Sequence, residues 1–250
     1  WWIADSQGDT ESPCVTIFIT RQRNSLVVET IKMLGGTLTF RPGSHRYDWN
    51  GEKIDLSVSA VASSYPIAFG AASGWAAKVI REELLRSNGP GDDRLAWARD
   101  VCKAPYRATK SAGHVGTEVH RYVEDLAHGL NPELSNDEDI AKCQTGIGEW
   151  FAANIGEVID IERRLYSLRW QVAGTCDMVA RLNDGKTYVL DWKGVTDLSS
   201  ASIKAGHIGQ LTAYREMLSE AGEQIDGCLL VRFSRATGEV EATQLRDHDA

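Results

Sequence analysis

The spacing of apolar positions changes character near residue 155 of this 250-residue chain. Before that point helical periodicity dominates. AASGWAAKVIREELLRSNG (71–89) carries Trp75, Val79, Ile80 and Leu84 along one helical face and stops at Gly89-Pro90. A second helical stretch covers roughly 93 to 112, with a break expected near Pro105. GTEVHRYVEDLAHG (116–129) opens another helix, with Val119, Tyr122, Val123 and Leu126 at helical spacing and Gly129 as its stop, and a further helix covers 137 to 154. The pattern then turns to strands: EVIDIERRLYSL (157–168), WQVAGTCDMVARL (170–182) and KTYVLDWK (186–193), the last two joined through Asn183-Asp184-Gly185. HIGQLTAYREMLSEAG (207–222) returns to helix, IDGCLLVRFS (225–234) to strand, and EVEATQL (239–245) is one more strand candidate.

The first 60 residues are harder to divide. CVTIFIT (14–20) is strand-like, and SLVVETIKMLGG (25–36) fits either a helix or a strand. TLTFRPGSHRYDWNGEKIDLSV (37–58) reads as a hairpin region with turns at Pro42-Gly43 and Asn50-Gly51. Neither internal repeats nor low-complexity segments interrupt the chain. From about residue 113 the order α(α)βββαβ predicts an α/β fold with a mixed sheet, three strands meandering and one helix crossing to the next. Residues 97–250 form the expected core, and residues 1–96 a hairpin and helical elaboration of it.

Composition narrows the class without choosing a function. A 42% hydrophobic, 25% charged chain is ordinary for a soluble domain with a substantial core. No apolar run approaches the roughly 18 residues of a membrane helix, and WWIADSQGDT lacks the pattern of a secretory signal, so a cytoplasmic protein is expected. The five cysteines are scattered without a CxxC pair, which argues for reduced thiols over disulfides, zinc or an iron–sulfur cluster. A net charge of −8 counts against a polyanion partner overall. Between Arg99 and Arg121 the balance reverses, and Arg99, Lys103 and Arg107 at four-residue spacing would either track DNA phosphates or form a solvated face.

The candidate chemistry begins with YVLDWKG (188–194), where a hydrophobic strand ends in Asp191 and Lys193, two apart and therefore on one face. An ion pair and a catalytic pair are both consistent with that spacing. Asp177 lies on the preceding strand, and the loop length decides where it points. A two-residue loop at Asp184-Gly185 would pair 177 with 192 and send Asp177 to the opposite side. A three-residue loop, Asn183 to Gly185, pairs 182 with 186 and 177 with 191, with Gly185 taking the left-handed position of a bulged hairpin. Two carboxylates on neighbouring strands repel unless a cation lies between them, and Mg²⁺ is bound in this manner with phosphate oxygens and water. A lysine beside it can orient or help deprotonate water and offset charge on a phosphate. Upstream, His120 looks inward from its helix; downstream, Gln210 and Tyr214 share a helical face.

The series GTEVH (116–120), GTCD (174–177), LDWK (190–193) and QLTAY (210–214) resembles the motifs of the PD-(D/E)XK nuclease superfamily, nearest its RecB-type exonuclease branch. The likeness covers roughly residues 97 to 235, and HRYDWNGEKIDLSVSAVAS (45–63) is similar to the segment preceding the core in phage-type members. It implies a restriction-endonuclease-like αβββαβ core, with His120, Asp177 and Asp191 as ligands of Mg²⁺ or Mn²⁺ and the Trp192 carbonyl as a further ligand. It also implies Lys193 as the catalytic lysine and Gln210 and Tyr214 as residues that shape the site and touch DNA. Glu162 falls where relatives often carry a glutamate; a surface charge at a strand edge is the equal alternative. The implied activity is metal-dependent DNA exonuclease action in phage or bacterial recombination or repair. An endonuclease of the same fold, or a DNA-binding module without catalysis, would share the pattern. The cysteine spacing of the cluster-bearing CRISPR-associated relatives is absent, so no iron–sulfur cluster is expected.

Two features are set aside. NDGKTY (183–188) ends like a phosphate-binding loop, but Ala180 stands where its first glycine belongs. His114 lies six residues before His120 and on another helical face.

Overall fold

The computed structural model describes residues 27–33, 35–64, 69–199 and 201–245. The expected strand CVTIFIT (14–20) lies outside them. Among the described residues, two sheets and six α-helices make up an α/β fold. The first sheet is antiparallel, in the order β1 (Glu29–Met33), β2 (Gly36–Arg41), β3 (Arg46–Trp49) and β4 (Glu52–Lys53). Within the segment that fitted helix or strand, Glu29–Met33 is therefore strand. Both expected turns are present: Pro42–Ser44 forms one 3₁₀ turn, and Asn50-Gly51, both at positive φ, closes the β3–β4 hairpin.

The short helix α1 (Val58–Ser63), capped by the Ser57 side chain, leads to α2 (Phe69–Arg86) and α3 (Arg94–Cys102). The face expected to be covered on α2 is not: Trp75 and Leu84 are exposed, and Val79 and Ile80 only half-buried. The break near Pro105 falls at Lys103, and Pro105 opens α4 (Ala104–Ala127), where a missing N–H is harmless. GTEVH does not start a helix. It lies within the 24 residues of α4, because Val115 extends the buried row Val119, Val123 by one more turn. Gly129, at φ +70, supplies the expected stop.

Helix α5 (Glu138–Asn154), capped by Asp137, precedes a five-stranded mixed sheet: β5 (Ile155–Ser167), β6 (Val172–Leu182), β7 (Thr187–Val195), β8 (Gly227–Ser234) and β9 (Val240–Leu245), adjacent in that order. Only the β7–β8 pair is parallel, as it must be once α6 (Ala205–Glu220) crosses between them. The sheet is covered on both faces. Val119 and Val123 of α4 and Ile140 and Ile147 of α5 pack on Tyr188, Leu190, Trp192 and Phe233. Leu211, Tyr214 and Leu218 of α6, with Val58, pack on Val189 and Leu230. Double burial explains why β8 is buried at every residue and shows no alternation.

The first sheet leans on the second through its own small core of Leu38, Phe40, Tyr47 and Ala173. Trp49 stacks on Tyr166 at 4.3 Å, and the Tyr47 and Thr175 hydroxyls are hydrogen-bonded at 2.6 Å. No described helix is long and apolar enough to cross a membrane. The four cysteines among the described residues are free thiols, three of them buried.

Candidate functional site

The hairpin between β6 and β7 uses the three-residue loop. The N–H of Leu182 donates to the Lys186 carbonyl at 2.9 Å, and Gly185 takes φ +81, a conformation that strains side chains other than glycine's. Pairs then run from Arg181–Thr187 to Met178–Leu190. One step further, in the same register, Asp177 stands opposite Asp191, and there the ladder ends. In place of a ladder bond, the Trp192 N–H donates to Asp177 Oδ2 at 3.1 Å.

Both strands before β7 change phase at this level. Cys176 packs under α6 while Met178, two residues on, packs under α4 and α5, although a regular strand would send both to one side. On β5, Glu162 adopts φ +51 between Ile161–Met178 and Arg163–Cys176, which puts it across from Asp177. A glutamate in the left-handed region inside a strand is rare, and such strain clusters at functional sites.

Three side chains meet where the strands part. Ligating atoms of His120, Glu162 and Asp177 all lie within 4.8 Å of one another, and the group could hold a metal ion. His120 reaches in from α4, with Nδ1 3.7 Å from Asp177 Oδ2 and Nε2 3.1 Å from the Trp192 carbonyl. Glu162, the secondary candidate, is thus part of the group, and the Trp192 carbonyl lies at its edge.

Asp191 and Lys193 stand beside it as a pair. Nζ is 2.7 Å from Asp191 Oδ1 and 2.6 Å from Oδ2, though only Oδ1 receives a directed hydrogen bond. Burial, reinforced by the Asp177 charge, pushes the Asp191 carboxyl up to about 6 despite Lys193. Burial alone would lower the Lys193 pKa, but Asp191 and Asp177 outweigh it and hold the ammonium above its ordinary range. The imidazole and carboxylate donors of His120, Glu162 and Asp177 are of the kind that hold a metal ion, and the Asp191 carboxylate, ion-paired with Lys193, lies beside them.

Gln210 and Tyr214 share a face of α6 but not an environment. Gln210 is half-buried, whereas Tyr214 is 2% exposed, its ring packed where a Cβ on Gly174 would come within 2.7 Å. Burial raises the Tyr214 pKa, and its hydroxyl is 3.5 Å from Gln210 Nε2. Tyr214 therefore lies in the core between α6 and the sheet, whereas Gln210 is partly open to solvent. The Arg99–Lys103–Arg107 row is likewise divided, because Lys103 lies between α3 and α4 and Arg107 is bonded to Glu83 and Asp100.

Two neighbours escaped the sequence reading. His207 precedes Gln210 by one helical turn, a spacing that could have flagged it, and its Nδ1 is buried without a hydrogen bond. Burial and the Lys193 charge lower its pKa. Arg164, two residues after Glu162, is a buried arginine that no periodicity distinguishes.

Neither a family model nor a curated protein sequence matches the chain. Among solved structures, it is similar to one titled "Crystal structure of SSO0001", at 15% identity and a TM-score of 0.28. The similarity covers 53% of this chain and 66% of that one, so the chain spans just under two thirds of that protein's length. A likeness this distant assigns neither a family nor an activity.

Proposed function

We propose that this chain is a metal-dependent deoxyribonuclease with a PD-(D/E)XK-type centre on a restriction-endonuclease-like core, acting as an exonuclease. One observation carries the reading: His120, Glu162 and Asp177, from a helix and two strands, lie within 4.8 Å of one another beside the buried Asp191–Lys193 pair. The αβββαβ order and the parallel β7–β8 pair support it. Of the two meanings of Asp191 and Lys193, an ion pair or a catalytic pair, the geometry supports both at once.

His120, Glu162, Asp177 and Asp191 would hold Mg²⁺ or Mn²⁺, with the Trp192 carbonyl adjoining. A bound divalent cation supplies Lewis acidity at a phosphoryl oxygen and a lowered pKa for coordinated water. The protein's own part falls mainly to Lys193. With no cation bound, Asp191 and Asp177 hold its ammonium above the ordinary range, which suits it to donate a hydrogen bond and supply counter-charge to the phosphate. Asp191, with its carboxyl pushed up to about 6, is mostly ionised at neutral pH and available to a cation. In hydrolysis the water oxygen bonds to phosphorus and gives up a proton to solvent, the ester P–O bond breaks, and the departing oxygen takes a proton from solvent.

The test offers linear and closed circular duplex DNA, and linear and circular single strands, with Mg²⁺ or Mn²⁺. Linear substrates should be degraded and circles spared, with Lys193→Ala slower by at least about 100-fold. Cleavage of circles would identify an endonuclease. If Lys193→Ala cuts as fast as the parent, the site assignment is wrong, and if pure protein cuts nothing, a DNA-binding module replaces the enzyme.

A further inference from the structure

Arg164 is the most buried cation near the site, its side chain 3% exposed. Its guanidinium faces two ways. Toward the site, Nη1 donates to the Glu162 carbonyl at 2.5 Å and lies 3.3 Å from Glu162 Oε2. Toward the first sheet, Nη2 and Nε lie 3.5 and 3.4 Å from the two Glu29 carboxylate oxygens, and Cζ rests 4.3 Å over the Phe40 ring. Glu29 and Phe40 are not independent partners: they are directly paired across β1 and β2. One cross-strand pair of the first sheet thus clamps one arginine of the second.

Glu162 needs such a clamp. Its φ of +51 is unfavourable for glutamate, yet this backbone aims its carboxylate at His120 and Asp177. A donor fixed on its own carbonyl, two residues along the chain, holds that conformation. We propose that Arg164 is a positioning residue for the metal group, and that the first sheet, through Glu29 and Phe40, is a working part of the candidate centre. This rests on the cation-binding reading of His120, Glu162 and Asp177. It also separates geometry from charge. As a mere positive charge, Arg164 would oppose a cation, and its neutralisation would strengthen binding; as a clamp, its loss weakens binding.

The experiment measures Mn²⁺ affinity by titration, following the spectroscopic signal of free Mn²⁺, together with thermal melting of the metal-free protein. Arg164→Lys keeps the charge and loses the planar fork. It should weaken Mn²⁺ binding by about tenfold, as for other residues that orient a metal ligand. In a Glu162→Gln background the same change should cause no further loss, a result that general loosening of the fold would not produce. Glu29→Gln, at the partly exposed end of the clamp, should weaken binding in the same direction and serves if Arg164→Lys does not fold. Unchanged affinity in the folded variants, or an equal loss with and without Glu162, overturns the proposal. Absence of Mn²⁺ binding by the parent protein removes the metal reading itself, and this inference with it, before any variant is compared.

Discussion

The two sheets solve different problems. The first is short and antiparallel, and it is covered on one side: β1 alternates between half-buried and exposed residues, and its hairpins close on turn residues that also mark them in the sequence. The second is covered on both faces by helices, and its central strands are nearly continuous runs of buried residues. Regularity would leave such a sheet no room for charge. Two charged groups of the candidate site enter it where it breaks its own pattern: Glu162, where the backbone turns left-handed, and Asp177, where the ladder to β7 ends. The regular sheet then buttresses the irregular point of the other, through Glu29, Phe40 and Arg164.

The sharpest way to break this contrast is to damage each sheet at a comparable depth. Phe233, fully buried in β8, fills the space between α4, α5 and the sheet, and a Cβ on Gly194 would already touch its ring at 2.9 Å. Phe233→Ala should destabilise the protein by about 3–5 kcal/mol in chemical unfolding. A change below about 1 kcal/mol would mean that the doubly covered sheet does not carry the fold.

Next comes the buried carboxylate. Asp191 has a folded pKa of about 6 against 3.8 as its unperturbed value, so the folded state holds this proton more tightly than the unfolded chain does. The stability linked to it is complete below about 3.8 and is lost as pH rises through about 6. In chelator, melting of Asp191→Asn relative to the parent should therefore shift in the variant's favour between those limits, by up to about 3 kcal/mol, and stay level above them. Lys193, left without its carboxylate, offsets the whole curve but not its slope. A difference that is flat across this range would show that Asp191 is not buried as a charge at neutral pH.

The smallest effect tests the join between the sheets. Tyr47→Phe removes the 2.6 Å hydrogen bond to Thr175 and leaves the aromatic packing on Phe40 in place. A loss of about 1 kcal/mol is expected, read as a shift in the unfolding midpoint. A second, separate unfolding transition in this variant would show that the sheets are held together chiefly by that bond.

Much of the local structure was legible because it depends on near neighbours. Asn183-Asp184-Gly185 marks a hairpin turn and reduces its register to two alternatives, of which the structure takes the three-residue loop that sets Asp177 opposite Asp191. The four-residue spacing of Val115, Val119 and Val123 defines the buried face of α4. The α2 face failed for the complementary reason: periodicity states which residues could be covered, and only the presence of another element covers them.

What the sequence by itself determined was therefore the order of elements from the central helices onward, the place of the β6–β7 hairpin turn and the residue types Asp191 and Lys193 at one strand end. Tertiary structure alone decided that Glu162 joins His120 and Asp177, that Tyr214 is buried, and that Arg164 is clamped by the first sheet. Glu162 could not be promoted from a strand-edge charge by any pattern, because its role depends on a left-handed backbone that local propensity disfavours. That conformation is held by Arg164, which is in turn held by Glu29 and Phe40, more than a hundred residues away in the chain. Register is a property of adjacent residues, whereas a strained ligand is stable only when distant groups over-determine it.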